Sequence, residues 1–327
     1  MTPEFVRRMS APLPRYTSYP TAQQFTPRVG KFEYAKSLQN LSPATVLSLY
    51  IHIPFCSELC WYCGCSTKAV KSREPIRAYL DTLKIEMTKV AAFLQAPRVT
   101  HLHWGGGTPN ILTASEIGEL AKTVRNLFTI SPSAEFAVEI DPRSFSSDQA
   151  EAFADAGVNR ISVGVQDFDP AVQKAINRVQ SFEVTERAVS SIRAAGIAAI
   201  NIDLVYGLPH QTRQSVERTV AEVIRLEPDR IALFGYAHLP SRAKHQSLID
   251  ESVLPDAVER FAQSRRAERL LEAAGYIAIG LDHFAKPEDP LSSIRVRRNF
   301  QGYTADEAEV LLGFGASAIS KLPEGYF

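Results

Sequence analysis

Six short runs rich in apolar and β-branched residues, 46–53, 99–104, 136–140, 160–165, 199–205 and 230–236, constrain this chain more than any other feature. Each gives way to a polar or glycine-rich stretch, and apolar residues at helical spacing follow. After the first run these are Ile76, Tyr79, Leu80, Leu83, Met87 and Val90. After the second they are Ile117, Leu120, Val124 and Phe128, behind Thr113 with Glu116 three residues on, the pattern of a capping box. Further helices are expected over 147–156, 182–195 and 213–226, punctuated by Gly157, Gly196 and Thr212 at positions that caps favour. A later helix, 256–274, ends at Gly275 and feeds one more expected strand, 276–281. Repeated β-then-α units imply a parallel sheet, either doubly wound or curled toward a barrel. Because unusual loop sequence follows every strand, the loops are expected to converge on one central site. The fold class is therefore read as α/β, with about six parallel strands curled into a (β/α) barrel.

Composition sets the outer limits. A chain of 327 residues is one large domain with appendages, or two domains. With 45% apolar and 22% charged residues it can bury a sizeable core. Lys plus Arg and Asp plus Glu are equal at 36 each, so no global basic field argues for a nucleic-acid partner. Residues 1–22 carry Glu4, Arg7 and Arg8 and no apolar centre, unlike a signal peptide. The longest apolar stretch, 194–206, is broken by Gly196, Asn201 and Asp203, short of the ~18 to 20 residues of a membrane span. A cytoplasmic protein without a membrane partner is expected. No heptads or large apolar interface segment are evident, which favours a monomer.

All four cysteines, Cys56, Cys60, Cys63 and Cys65, lie in one ten-residue window. A disulfide framework would spread them along the chain. Thiolates at this spacing converge on one centre and suit an iron–sulfur cluster or zinc. Zinc would take a fourth ligand, for which Cys65 is available; buried inert thiols are the other alternative.

Cys56-x3-Cys60-x-Tyr62-Cys63 directly after the first strand resembles the signature of the radical S-adenosylmethionine superfamily, whose fold is a partial or complete (β/α) barrel. Cys63-Gly64-Cys65 and Tyr50-Ile51-His52-Ile53-Pro54-Phe55 narrow the likeness. With Arg15-Tyr16-Thr17-Ser18-Tyr19-Pro20-Thr21, His103-Trp104-Gly105-Gly106-Gly107-Thr108-Pro109, Glu139-Ile140-Asp141-Pro142-Arg143, Gly164-Val165-Gln166-Asp167-Phe168, Asn201-Ile202-Asp203-Leu204, Tyr236-Ala237-His238-Leu239-Pro240 and Arg298-Asn299-Phe300-Gln301-Gly302-Tyr303-Thr304, the sequence resembles the oxygen-independent coproporphyrinogen III oxidases over nearly its whole length.

The resemblance implies that Cys56, Cys60 and Cys63 hold a [4Fe–4S] cluster, with S-adenosylmethionine on the open iron, and that Cys65 is the family's fourth, non-ligand cysteine, of catalytic importance. It implies cofactor contacts from Gly106, Gly107 and Thr108, aromatic framing by Tyr50 and Tyr62, an adenine contact from Ile319, and a carboxylate from Glu139 for an ammonium or ribose hydroxyls. On residue chemistry alone, Glu139 equally fits a turn capped by Asp141 and Arg143, and the glycines a tight βα turn. Gln166, Arg178, Asp203 and Ala237 match positions on the side of a second S-adenosylmethionine or the substrate. Arg178 suits a substrate bearing several propionates, although Val179 departs from the acidic residue usual in the family. The histidines other than His52 have no metal spacing and read as mostly structural or surface, with His101 and His103 on one strand face.

The implied reaction is oxidative decarboxylation of two propionates of coproporphyrinogen III to vinyl groups, giving protoporphyrinogen IX without oxygen, with a small electron-donor protein such as flavodoxin or ferredoxin as partner. The alternatives are a related haem chaperone, whose kind does not share Cys65 and the Tyr16-Thr17-Ser18-Tyr19-Pro20-Thr21 arm, or a non-catalytic homologue. The expected division is an N-terminal arm, 1–45, with 16–21 as a lid over the substrate site; the barrel, 46–250; and a C-terminal extension of the catalytic domain, 251–327. That extension reads as incomplete against the family pattern, and 291–298 as a few residues short.

Overall fold

A computed structural model describes residues 1–10, 21–95, 98–293, 296–299 and 302–327. The six expected strands are present as β1 (Val46–Ile53), β2 (Arg98–Gly106), β3 (Thr129–Ile140), β4 (Arg160–Gln166), β5 (Ala199–Tyr206) and β6 (Arg230–Gly235). They lie in the sheet in that order, each parallel to the next. The intervening helices are α3 (Glu74–Ala91), α4 (Ala114–Leu127), α5 (Ser147–Asp155), α7 (Phe182–Ala194) and α8 (Arg213–Arg225), with the short α6 (Pro170–Ala175) ahead of α7. Thr113 caps α4 and Thr212 caps α8 through their side chains, as their positions predict.

Two features depart from expectation. The strand expected over 276–281 is the short β7 (Ile277–Ile279), antiparallel to β8 (His283–Ala285), which itself runs antiparallel to β6. Gly280, at φ +68°, turns the chain back within a connection far too short for a parallel crossover. The sheet also gains a seventh parallel strand, β9 (Val310–Phe314), which pairs with β1 from Leu47↔Val310 to Ile51↔Phe314. The segment 251–327 therefore does not stand apart from the barrel sheet. Two short strands, β10 (Lys321–Leu322) and β11 (Gly325–Tyr326), finish that edge. The sheet runs open from β11 to β7, a partial barrel.

Strand period two separates the sheet's faces. Leu47, Leu49, Ile51 and Ile53 of β1, with Leu102, Trp104, Phe136, Val138, Ile161, Val163, Ile200 and Ile202, pack outward into one core beneath the helices. The alternate positions are polar and linked to each other: Ser48 and His101 to Asp306, His103 to Glu139, Ser162 to Asp203. At the N-terminal ends of the strands Arg160 and Arg230, both 6% exposed, share Glu135 and Asp289. Asp289 accepts Arg230 Nε at 2.8 Å and Arg160 Nη2 at 3.2 Å. Asp289→Ala would leave two buried guanidinium groups with one carboxylate between them. We expect it to cost about 3–5 kcal/mol of unfolding free energy, read by urea denaturation.

In the N-terminal region, α1 (Pro3–Met9) lies against α9 (Ala257–Ala273). From α2 (Lys31–Gln39), Leu38 enters the core and the Tyr34 hydroxyl meets Ser320 Oγ at 3.1 Å. The expected lid, 16–21, lies outside the described residues apart from Thr21. Among the described residues no helix is long and apolar enough to cross a membrane.

Candidate functional site

The cysteine loop leaves β1 at its C-terminal end and is fastened on several sides. A two-stranded pair, Phe55–Cys56 with Lys68–Ala69, frames it. The Trp61 N–H donates to Ile176 O at 2.9 Å, Asn177 Nδ2 to Leu59 O at 3.0 Å, and Gln246 Nε2 to Tyr62 O at 3.0 Å. His245 Nε2 lies 2.7 Å from the Cys63 carbonyl. All four cysteines are free thiols, Cys60 buried and Cys65 exposed. Cys65 donates its N–H to Cys63 Sγ at 3.4 Å. The Cys65 S–H does the same and pulls the Cys63 thiol down to about 6, while Cys65 itself is raised. Among the described residues no three His, Cys, Asp or Glu side chains are already drawn around one point for a single ion.

The glycine turn after β2 closes on this loop. Gly107 donates to Ile53 O and Thr108 to Phe55 O, both at 2.9 Å. A Cβ on Gly107 would lie 2.6 Å from the Phe55 carbonyl oxygen, so only glycine allows this approach. Gly106, at φ +117°, packs against the His52 ring and offers its N–H to Glu139 Oε2 at 3.2 Å. Thr108 is buried, and its hydroxyl is engaged by Asn110 and by the Asp141 N–H.

Glu139 does not belong to the capped turn that follows it. Asp141 caps that turn, accepting the Arg143 N–H at 3.0 Å, whereas Glu139 Oε1 meets His103 Nε2 at 2.9 Å. Enclosure pushes the Glu139 carboxyl up, but His103, the Gly106 N–H and His52 outweigh it and hold the group below its ordinary value. Tyr50 stacks on His103 at 5.8 Å between centroids and meets His52 Nδ1 through its hydroxyl at 2.9 Å. His103 thus lies between Glu139 and Tyr50 on the inner face of β2.

Arg178 is buried beside Cys60, with Nη1 3.4 Å from Sγ and 3.0 Å from Asp141 Oδ2, and Nη2 donating to Gly164 O at 2.7 Å. Asn177 at φ +53° and Gln166 at φ +70° flank this arrangement in the left-handed region, and the Gln166 amide lies over Gly164 next to Arg178. Asp203 hydrogen-bonds Ser162 at 3.0 Å within the barrel. Tyr62 packs against the Val172, Ile176 and Tyr236 cluster and reaches Ala237 through Gln246, which donates to both carbonyls. Ile319 closes on Gly313, which pairs in register with Tyr50. The structure thus brings Cys56, Cys60, Cys63 and Cys65 together with Tyr50, Tyr62, Gly106, Gly107, Thr108, Glu139, Gln166 and Arg178 at one end of the barrel. Asp203 is joined to Ser162 on the neighbouring strand, Ala237 to the loop through Gln246, and Ile319 to the strand beside Tyr50.

Burial, then the Glu139 charge, pushes Asp203 up to about 6. A carboxyl raised in the folded state favours folding while protonated, and that contribution is lost as pH rises through about 6. Asp203→Asn is expected to raise Tm relative to the unaltered chain more at pH 7.5 than at pH 4.5. An equal change at both values would remove the carboxyl's titration as the cause.

The sequence did not mark Asp141, Arg143, His103 or Gln246 as site residues. For Asp141 and Arg143 the available signal was an oppositely charged pair just after Glu139 at a strand end.

Four free thiols on one loop, three of them at Cys-x3-Cys-x2-Cys spacing, packed directly against the glycine turn, fit an iron–sulfur cluster. Residues 50–223 match the Radical SAM superfamily. An oxygen-independent coproporphyrinogen III oxidase from Bradyrhizobium diazoefficiens is 52% identical over 319 residues, 96% of this chain and 71% of that protein. One from Pseudomonas aeruginosa is 42% identical over 331 residues, 99% of this chain and 72% of that protein. A solved coproporphyrinogen III oxidase from Escherichia coli, described as a radical SAM enzyme, superposes with a TM-score of 0.92 at 39% identity, covering 95% of this chain and 72% of that one. The chain belongs to the radical SAM superfamily and, within it, to the oxygen-independent coproporphyrinogen III oxidases.

Proposed function

We propose that this chain carries out the oxidative decarboxylation of two propionate side chains of coproporphyrinogen III to vinyl groups, giving protoporphyrinogen IX without oxygen. The observation that carries the reading is the seam between the cysteine loop and the glycine turn, Gly107 to Ile53 and Thr108 to Phe55, with Glu139 on Gly106 beside it. It brings the thiols and the Glu139 carboxylate to one place, at the barrel face where βα loops converge.

Cys56, Cys60 and Cys63 would hold a [4Fe–4S] cluster, and Gly106, Gly107 and Glu139 would receive S-adenosylmethionine. When bound, these supply the one-electron chemistry that removes hydrogen from the propionate β-carbon. The chain's residues bind and orient. Glu139, kept ionised, can accept from an ammonium or ribose hydroxyls. Asp203 and Gln166 line the side assigned to the substrate or a second S-adenosylmethionine. Arg178 adds positive charge on the side assigned to the substrate carboxylates while its own donors hold Asp141, Gly164 and Cys60. A small donor protein such as flavodoxin or ferredoxin supplies electrons to a monomeric, cytoplasmic enzyme.

The test is anaerobic reconstitution with iron and sulfide, then turnover with dithionite, S-adenosylmethionine and coproporphyrinogen III. Chromatography of the oxidised porphyrins should show a divinyl product with release of carbon dioxide. A cluster-loaded protein that leaves the four propionates intact would overturn the reading.

A further inference from the structure

Cys60 differs from its neighbours in what faces its sulfur. Cys56 Sγ lies 3.3 Å from the Thr67 hydroxyl, and Cys63 Sγ receives a backbone N–H. Cys60 Sγ meets two guanidinium groups, Arg143 Nη2 at 3.5 Å and Arg178 Nη1 at 3.4 Å. These arginines come from separate elements, one following β3 and the other between α6 and α7. A single carboxylate holds both. Asp141 Oδ2 accepts Arg143 Nη2 at 2.6 Å and Arg178 Nη1 at 3.0 Å, and Arg143 Nε reaches both Asp141 oxygens at 3.0 and 3.1 Å.

The charge balance leaves a surplus. Two cations against one carboxylate give a net positive unit touching the sulfur. Glu58, 3.8 Å from Arg143 Nη1, is 68% exposed and offsets little of it. Arg178 Nε, also buried, has no hydrogen-bond partner, so this guanidinium engages Asp141, Gly164 and Cys60 through its two terminal nitrogens alone. Hydrogen bonds and positive charge directed at a cluster thiolate stabilise the form with the extra electron.

We propose that Asp141 is a positioning residue that aims Arg143 and Arg178 at Cys60, making a cluster on this loop easier to reduce than its thiolates alone would allow. The polarisation falls on one of the three ligands. The inference rests on the reading that Cys56, Cys60 and Cys63 hold the cluster. If that reading fails, the unaltered reconstituted protein gives no cluster signal at all.

The test is an anaerobic redox titration of reconstituted protein, followed by the electron paramagnetic resonance signal of the reduced cluster, with iron content measured in parallel. At a fixed potential, Arg143→Gln is expected to lower the reduced-to-oxidised ratio about three- to tenfold, tenfold being ~59 mV for one electron. Arg143→Lys keeps the charge and loses the fork, and should lower it about twofold. Asp141→Asn discriminates by sign. Acting only as a nearby negative charge, Asp141 would on removal raise the reduced fraction. Acting through the arginines, its removal lowers the fraction. A ratio unchanged in both Arg143 variants, or raised in Asp141→Asn, overturns the proposal. Should Arg143→Gln or Asp141→Asn take up no iron, Arg143→Lys decides alone, and an unchanged ratio there rejects it.

Discussion

Cys60→Ala is expected to give a folded protein with no reducible cluster and no detectable turnover. Cys60 is the most enclosed of the four thiols, and its sulfur lies within 3.5 Å of two guanidinium groups, those of Arg143 and Arg178. A cluster held by three thiolates keeps no spare ligand, so removing one should take iron content from ~4 per chain to near zero. Cys65→Ala is the companion measurement. Cys65 is exposed and already serves Cys63 as a donor. We expect its variant to retain iron and the reduced-cluster signal while turnover falls at least tenfold. Loss of the cluster in Cys65→Ala with retention in Cys60→Ala would reverse the ligand assignment, and retention in both would remove it.

Gly107→Ala should be the most damaging substitution outside the cysteines. Its new Cβ would run into the Phe55 carbonyl and the Thr67 hydroxyl, and the former is backbone that cannot rotate away. The two hydrogen bonds that join turn and loop lie on either side of the clash. Overpacking of this kind costs about 1–3 kcal/mol. The larger effect falls on binding, because parting the seam separates the thiols from Gly106 and Glu139. We expect S-adenosylmethionine affinity, measured by calorimetry on reconstituted protein, to fall more than tenfold. Gly118→Ala in α4, where no atom lies within 4 Å of the added carbon, is the control, neutral or stabilising by up to ~1 kcal/mol. If both substitutions bind alike, the seam has no part in the site.

The barrel was legible because its signals are local. Apolar runs at period two and three-to-four, with Thr113 and Thr212 at their caps, belong to contiguous segments. β9 was not, since Val310–Phe314 joins the sheet beside β1 through pairing with a strand more than 250 residues earlier, and a five-residue run carries no mark of its partner. The hairpin of β7 and β8 was misread because a strand's direction depends on the length of the connection after it. In the site, the resemblance named Glu139 and Arg178, but spacing could not say that Glu139 would turn to His103 and Gly106 while Asp141 took the arginines. Which carboxylate serves which cation is decided by strand register.

The alternation along each barrel strand has a consequence for how such a protein can change. Odd and even positions answer to different demands. Leu49 and Ile51 of β1 hold the sheet to its helices, while Tyr50 between them faces the chemistry. An inward substitution above the Arg160, Glu135, Arg230 and Asp289 floor removes few apolar contacts, and an outward one leaves the inner wall in place. A lineage of such chains can rewrite what it transforms, residue by alternate residue, while its folding free energy drifts on a separate account.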